Sequence, residues 1–264
     1  MPALPFAQID AFADRPFVGN PAAVIPLEDW LDDAMLQAIA AENNLSETAF
    51  YLRDASGEAD FELRWFTPVA EVALCGHATL ASGHHVLSGD TARERVTFRT
   101  RQSGVLEVAR DGDGYAMALP AYPPAPREVP GLLAALGVEG ETLFHPRGYD
   151  LTVVESAEMV RALTPDFRAL AATGNTLNIV TAPGDGGVDV VSRVFAPTVG
   201  LDEDPATGSA HAVLAPYWAK RLGRNRFSAF QASPRGGRLE CLVEDDRVVL
   251  GGRCVTVIEG RFFV

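Results

Sequence analysis

Glu47 lies in the run LSETAFYL, whose alternation reads as a strand. A carboxylate on the apolar phase of a strand has a raised pKa and can carry a proton near neutral pH. On the solvent phase, or satisfied by the hydroxyls of Ser46 or Thr48, it would do no chemistry. His77 follows Gly76 in LCGHAT, where a helix of small residues begins. A helix start lowers an imidazole pKa, and a neutral ring there can donate a hydrogen bond or relay a proton. A first-turn histidine capping its own backbone is the plainer alternative. Asp204 stands before a second such helix in DEDPATGSAH, where an ordinary N-terminal cap competes with a catalytic role. Gly76 and Gly208 open the two helices. Glycine admits a close backbone approach, and unpaired first-turn N–H groups attract negative charge. Two such starts make an anion cradle without any lysine.

Other chemistry is excluded by what is missing. Lys220 is the chain's one lysine and is followed by Arg221, so no Walker A loop exists, and no GxGxxG occurs. Schiff-base chemistry would have to use Lys220. The three cysteines, Cys75, Cys241 and Cys254, lack metal-finger spacing, and an odd count speaks against a disulfide scaffold. A zinc set of Cys75, His77 and His84 lacks the helical i, i+4 pair. No metal and no cofactor are expected. A net charge of −13 with no segregated basic face disfavours nucleic acid and anionic membrane, and leaves a small anionic substrate open. MPALPFAQIDAF carries no basic segment before an apolar one, so no secretory signal is expected, and a cytoplasmic location follows.

The elements that hold these residues are written twice. Gly76-His77-Ala78 recurs as Gly208-Ser209-Ala210 at an offset of 132 residues, and RWFTP from Arg64 recurs as RVFAP from Arg193 at 129. A period this long means a duplicated domain and not a solenoid. The first half reads as a strand FAQIDAF, a loop or hairpin through Gly19-Asn20-Pro21, and a helix over about Asp32–Glu42. Strands LSETAFYL and FELRWF follow, then a helix over about His77–Leu87 and strands VTFRT, GVLEVAR and YAMALP. The second half reads as LTVVE, a helix pair between Ser156 and Ala172, NIVTA and VDVVSRVF. A helix over about Ser209–Leu222, capped by Gly223, and four closing strands complete it. The same offsets set Thr207 opposite Cys75, and an offset of 131 sets Asn178 opposite Glu47. A two-thiol racemase pair is thereby broken. Many strands around one apolar helix per half predict an α+β fold with two pseudo-symmetric domains, each a mostly antiparallel, barrel-like sheet around a central helix. The expected boundaries are residues 1–119 and 127–264 with a Pro-rich linker at 120–126, and the last strand is allowed to pack on the N-terminal half.

DAFADRPFVGNPAAV, NLSETAF, the GHAT of LCGHATLASG, and DEDPATGSAHA together resemble the PhzF-like, phenazine-biosynthesis-like isomerases, of the diaminopimelate epimerase-like fold. The resemblance covers essentially the whole chain. It implies a site in the cleft between two homologous domains, cofactor-free proton transfer and a homodimer. It puts the catalytic roles on Glu47, His77, Asp204 and Ser209, and ligand-proximal positions on Asn20, Gly76 and Gly208, with Ser46 and Thr207 beside them. The expected activity is isomerisation of a small carboxylate-bearing substrate by acid/base catalysis. Inversion of an amino or hydroxy acid through Cys75, and a non-catalytic binding protein of the same fold, are the alternatives.

Overall fold

The computed structural model describes residues 3–264. The chain forms two units: the stretch up to Ala118 joined by Gly251–Val264, and Leu119–Leu250.

In the first unit the helix Gly76–Gly89 buries nine residues from Gly76 to Leu87. Burial on nearly every side demands small side chains, and Gly83 shows how tight the fit is. A Cβ there would lie 2.4 Å from Cγ1 of Val108. The sheet curls around this helix. Ala3–Ala11 pairs antiparallel with Asn20–Pro26, which runs parallel to Glu47–Arg53. That strand pairs antiparallel with Phe61–Phe66, which is parallel to Arg95–Thr100, and the meander continues through Val105–Asp111. On the outer face Leu36, Ile39 and Ala40 of the helix Asp33–Asn43 pack on Ile25, Phe50 and Phe66. Asp32 starts that helix by accepting the Met35 N–H at 2.7 Å.

The second unit follows the same plan. Tyr149–Val153 runs parallel to Leu177–Pro183, which pairs antiparallel with Val190–Ala196, itself parallel to Arg226–Gln231. The helix Gly208–Leu222 packs on this sheet, ties Trp218 Nε1 to Thr181 Oγ1 at 3.0 Å, and ends at Gly223 in the left-handed region at φ 67°. Outside lie the short helices Leu132–Leu136, Ala157–Ala162 and Phe167–Ala172, around Val180 and Phe195. The first of these, and the strand Glu141–His145, are elements the sequence reading passes over.

The last strand packs on the first unit, as the sequence reading allows: the second unit ends at Leu250, and Cys254–Phe263 pairs antiparallel with Ala3–Ala11, from Ala3 opposite Phe263 to Ala11 opposite Cys254. The first strand's free edge is thereby closed. Residues 120–126 are no free linker. Ala125–Pro126 pairs with Glu141–His145, and the Tyr122 N–H donates to the Ala212 carbonyl at 2.9 Å. Pro216, four residues further along the helix, has no N–H to offer that carbonyl, so the Pro-rich segment supplies the missing donor. No helix among the described residues is long and apolar enough to cross a membrane.

Candidate active site

Glu47 opens the strand Glu47–Arg53 opposite Ala22. Side chains alternate along this strand. Phe50 points outward into the outer-helix core, while the Tyr51 hydroxyl meets Nδ1 of His85 on the central helix at 2.8 Å. Glu47 shares the phase of Tyr51 and so faces that helix. Nε2 of His77 lies 3.1 Å from Oε2 of Glu47, with the His77 side chain 5% exposed and that of Glu47 18%. The contact is close, but it is not aligned as a hydrogen bond. Burial lowers the His77 pKa to about 3, so the ring is neutral at physiological pH. Desolvation by burial is the cause.

Cys75 is the N-cap of that helix and makes no side-chain cap bond. Its Sγ lies 3.5 Å from Nδ1 of His77, and Nδ2 of Asn20 approaches the same nitrogen at 3.1 Å. Asn20 is the first residue of the strand Asn20–Pro26 and is fully buried. The ligand atoms of Glu47, Cys75 and His77 lie within 4.8 Å of one another. Cys75 approaches Nδ1 of the ring and Glu47 approaches Nε2. His84 takes no part, since its two nitrogens meet the Tyr115 hydroxyl at 3.0 Å and Thr256 Oγ1 at 2.9 Å. Ser46 is half-buried just before Glu47.

In the second unit Asp204 ends the strand Leu201–Asp204 and is buried. It is not the helix cap. That place belongs to Thr207, whose side chain makes no cap bond and whose hydroxyl instead donates to the Asp204 carboxylate. Gln231 clamps the turn. Its Oε1 accepts the Thr207 N–H at 2.8 Å, and its Nε2 donates to the Asp204 carbonyl at 2.6 Å. The sequence reading missed Gln231. Its signal is a polar residue on the buried phase of RFSAFQ, at the strand end two residues after Ala229. Ser209 is the second residue of the helix Gly208–Leu222 and lies near the phenol of Tyr149, another residue not foreseen.

Both helix starts share one geometry. Cys75 and Thr207 are extended N-caps, at φ −139° and −115°, and Gly76 and Gly208 follow them as the first helical residues. The N–H groups of each first turn therefore have no side-chain cap. The equivalence of Glu47 is corrected by one residue. Thr48 pairs with Phe66 and Asn178 with Phe195, the aromatic residues of RWF and RVF. Asn178 therefore matches Thr48, and the counterpart of Glu47 is Leu177. A shift of one residue exchanges the faces of a strand.

A duplicated arginine braces each site. Arg64, 3% exposed, holds Glu71 through Nε and Nη2 at 2.8 Å each, and also Asp33. Arg193 holds Glu203, next to Asp204, at 2.7 and 2.9 Å, and donates to the Leu163 carbonyl at 2.8 Å. Each guanidinium thus fixes the strand that leads toward a helix start.

Comparison with known proteins places this geometry in a lineage. The family profile described as phenazine biosynthesis-like protein matches residues 9–130 and 149–260. An uncharacterized isomerase of Pseudomonas aeruginosa is 51% identical over 255 residues, covering 96% of each chain. The crystal structure of a PhzF-family phenazine biosynthesis protein from Enterococcus faecalis superposes with a TM-score of 0.92 at 44% identity over the whole of both chains. A hydroxyproline epimerase from Agrobacterium vitis shares the fold alone, with a TM-score of 0.64 at 11% identity over 98% of this chain and 92% of its own.

Proposed function

This chain belongs to the phenazine biosynthesis-like family, whose members include named isomerases, and within it we propose a cofactor-independent isomerase that moves a proton, and with it a double bond, on a small carboxylate-bearing substrate. The observation that carries this reading is the 3.1 Å approach of Glu47 to a buried, neutral His77. Glu47 takes a proton from a carbon beside an unsaturated or carbonyl system and returns it at another position. A neutral imidazole against that carboxylate can pass or hold a proton without adding a second charge to a dry site.

Asp204 polarises the substrate. Ser209, with Thr207, Gly208, Gly76, Asn20 and Ser46, binds it, and the uncapped first-turn N–H groups receive its carboxylate. This assignment supplies an anion site in a chain whose net charge is −13. The enzyme is proposed to act as a homodimer in the cytoplasm.

The test is incubation of the enzyme with a cyclohexadiene carboxylate in deuterated water, followed by NMR. A shifted double bond with deuterium at the newly protonated carbon supports the reading. Conversion that needs an added cofactor, or inversion of a stereocentre with no double-bond shift, would overturn it.

A further inference from the structure

Two contacts flank the His77 ring, one at each nitrogen. On one side Nδ2 of Asn20 lies 3.1 Å from Nδ1. On the other, Oε2 of Glu47 lies 3.1 Å from Nε2. A carboxamide nitrogen only donates, and a carboxylate oxygen only accepts. A neutral imidazole has one N–H and one lone pair, and the two ends cannot be chosen independently. With the proton on Nδ1, the Asn20 N–H would point at another N–H, and the lone pair of Nε2 would point at a carboxylate. With the proton on Nε2, both contacts are attractive. Asn20 and His77 are each almost fully buried, so water does not soften the unfavourable arrangement.

We infer that Asn20 is a positioning residue that acts through His77: its amide donates to Nδ1 and fixes the ring as the Nε2–H tautomer, with its proton on the nitrogen nearest Glu47. With a lone pair on Nδ1 already facing Asn20, the Cys75 sulfur 3.5 Å away has no ring proton of His77 to accept. Nothing in the sequence pairs Asn20 with His77, 57 residues later. The hairpin that starts the strand at Asn20 brings them together.

The inference rests on the reading of Glu47 and His77 as a working pair, yet its test needs no turnover. The intact protein is labelled with 15N in its five imidazoles, and long-range 1H–15N correlation spectra are recorded at neutral pH. The His77 signals are those lost in His77→Gln. Nε2 is expected to be protonated and Nδ1 bare, with the opposite tautomer at least about tenfold rarer. Asn20→Asp, which sets an acceptor against Nδ1, is expected to move a proton onto that nitrogen. A wild-type ring protonated at Nδ1, an even mixture, or a ring charged at pH 7 would overturn the assignment. So would a folded Asn20→Asp protein with an unchanged His77 pattern. The wild-type spectrum decides even if the variant fails to fold. Failed isomerisation in deuterated water alongside the expected spectrum would remove the proposed function and leave the role of Asn20 standing.

Discussion

Arg193 grips Glu203 with two nitrogens at 2.7 and 2.9 Å, one residue before Asp204, and Arg64 grips Glu71 in the same manner in the first unit. Removing one partner of a part-buried pair leaves the other's charge unpaired, which costs more than the pair itself contributes. Arg193→Met is expected to lose about 1–3 kcal/mol of stability, read by urea denaturation, and to lose isomerisation activity as the strand bearing Asp204 loosens. Glu203→Gln, which keeps an acceptor for the guanidinium, is expected to lose less. Equal stability in all three proteins would contradict the brace.

Gly83 sits where two effects oppose each other. Alanine inside a helix is ordinarily about 1 kcal/mol better than glycine. Here the added Cβ would meet Cγ1 of Val108 at 2.4 Å in a closed core. Overpacking of this kind costs about 1–3 kcal/mol, and it wins. Gly83→Ala should lower the melting temperature, and Val108→Ala added to it should restore part of the loss. A stabilised single variant would show that the helix is free to shift.

The pH dependence of stability has a worked sign. Burial holds His77 at about 3, and His84 and His211 at about 4, below their ordinary 6.5. Between those values and 6.5 the unfolded chain binds protons that the folded chain refuses, so stability falls as pH drops from about 6.5 toward 4. Asp150 is the reverse case. Burial raises its pKa from 3.8 to about 7, so between those values the folded chain holds a proton that the unfolded chain has lost, and stability falls as pH rises from about 4 to 7. The two windows overlap, and three histidines outweigh one carboxyl, so thermal melts should show a net loss of stability as pH drops from about 6.5 toward 4. Asp150→Asn, which keeps an oxygen for the Asn175 amide that donates to Asp150, should raise the melting temperature at pH 8 and not at pH 4.

Cys75→Ser separates the isomerase from the two-thiol alternative. Its counterpart is Thr207, and the sulfur lies against a neutral ring. The variant is expected to keep isomerisation within about tenfold of the parent. Abolition of turnover by this change, matched by iodoacetamide treatment of the parent, would favour epimerisation through a thiol.

Much of this was legible before any coordinates. The repeat gave both helix starts, because glycine followed by small apolar residues marks a helix that must be buried on all sides. Glu47, His77, Asp204 and Ser209 stood out as polar residues in apolar or helix-start settings. What stayed hidden depends on pairing. Whether Leu177 or Asn178 matches Glu47 is a matter of strand register, which an alignment of two divergent halves misses by one residue. The sequence reading allows the last strand on the N-terminal half, but its pairing with Ala3–Ala11 in particular depends on which sheet edge is open, and alternation carries no record of edges. The Asn20–His77 contact and the Gln231 clamp link residues distant in sequence, so no local pattern announces them. The Pro-rich segment at 120–126 looked like a linker because its composition is that of one. Its anchoring depends on Pro216, more than ninety residues later.

The central claim is that Glu47 carries the transferred proton. Its most direct test is deuterium uptake from deuterated water into a cyclohexadiene carboxylate by the parent and by Glu47→Gln, with circular dichroism showing that both are folded. Glutamine keeps the shape and removes the base, and the account predicts a fall in uptake of about 100-fold to 10,000-fold. Uptake by a folded Glu47→Gln enzyme at the parent's rate would contradict it.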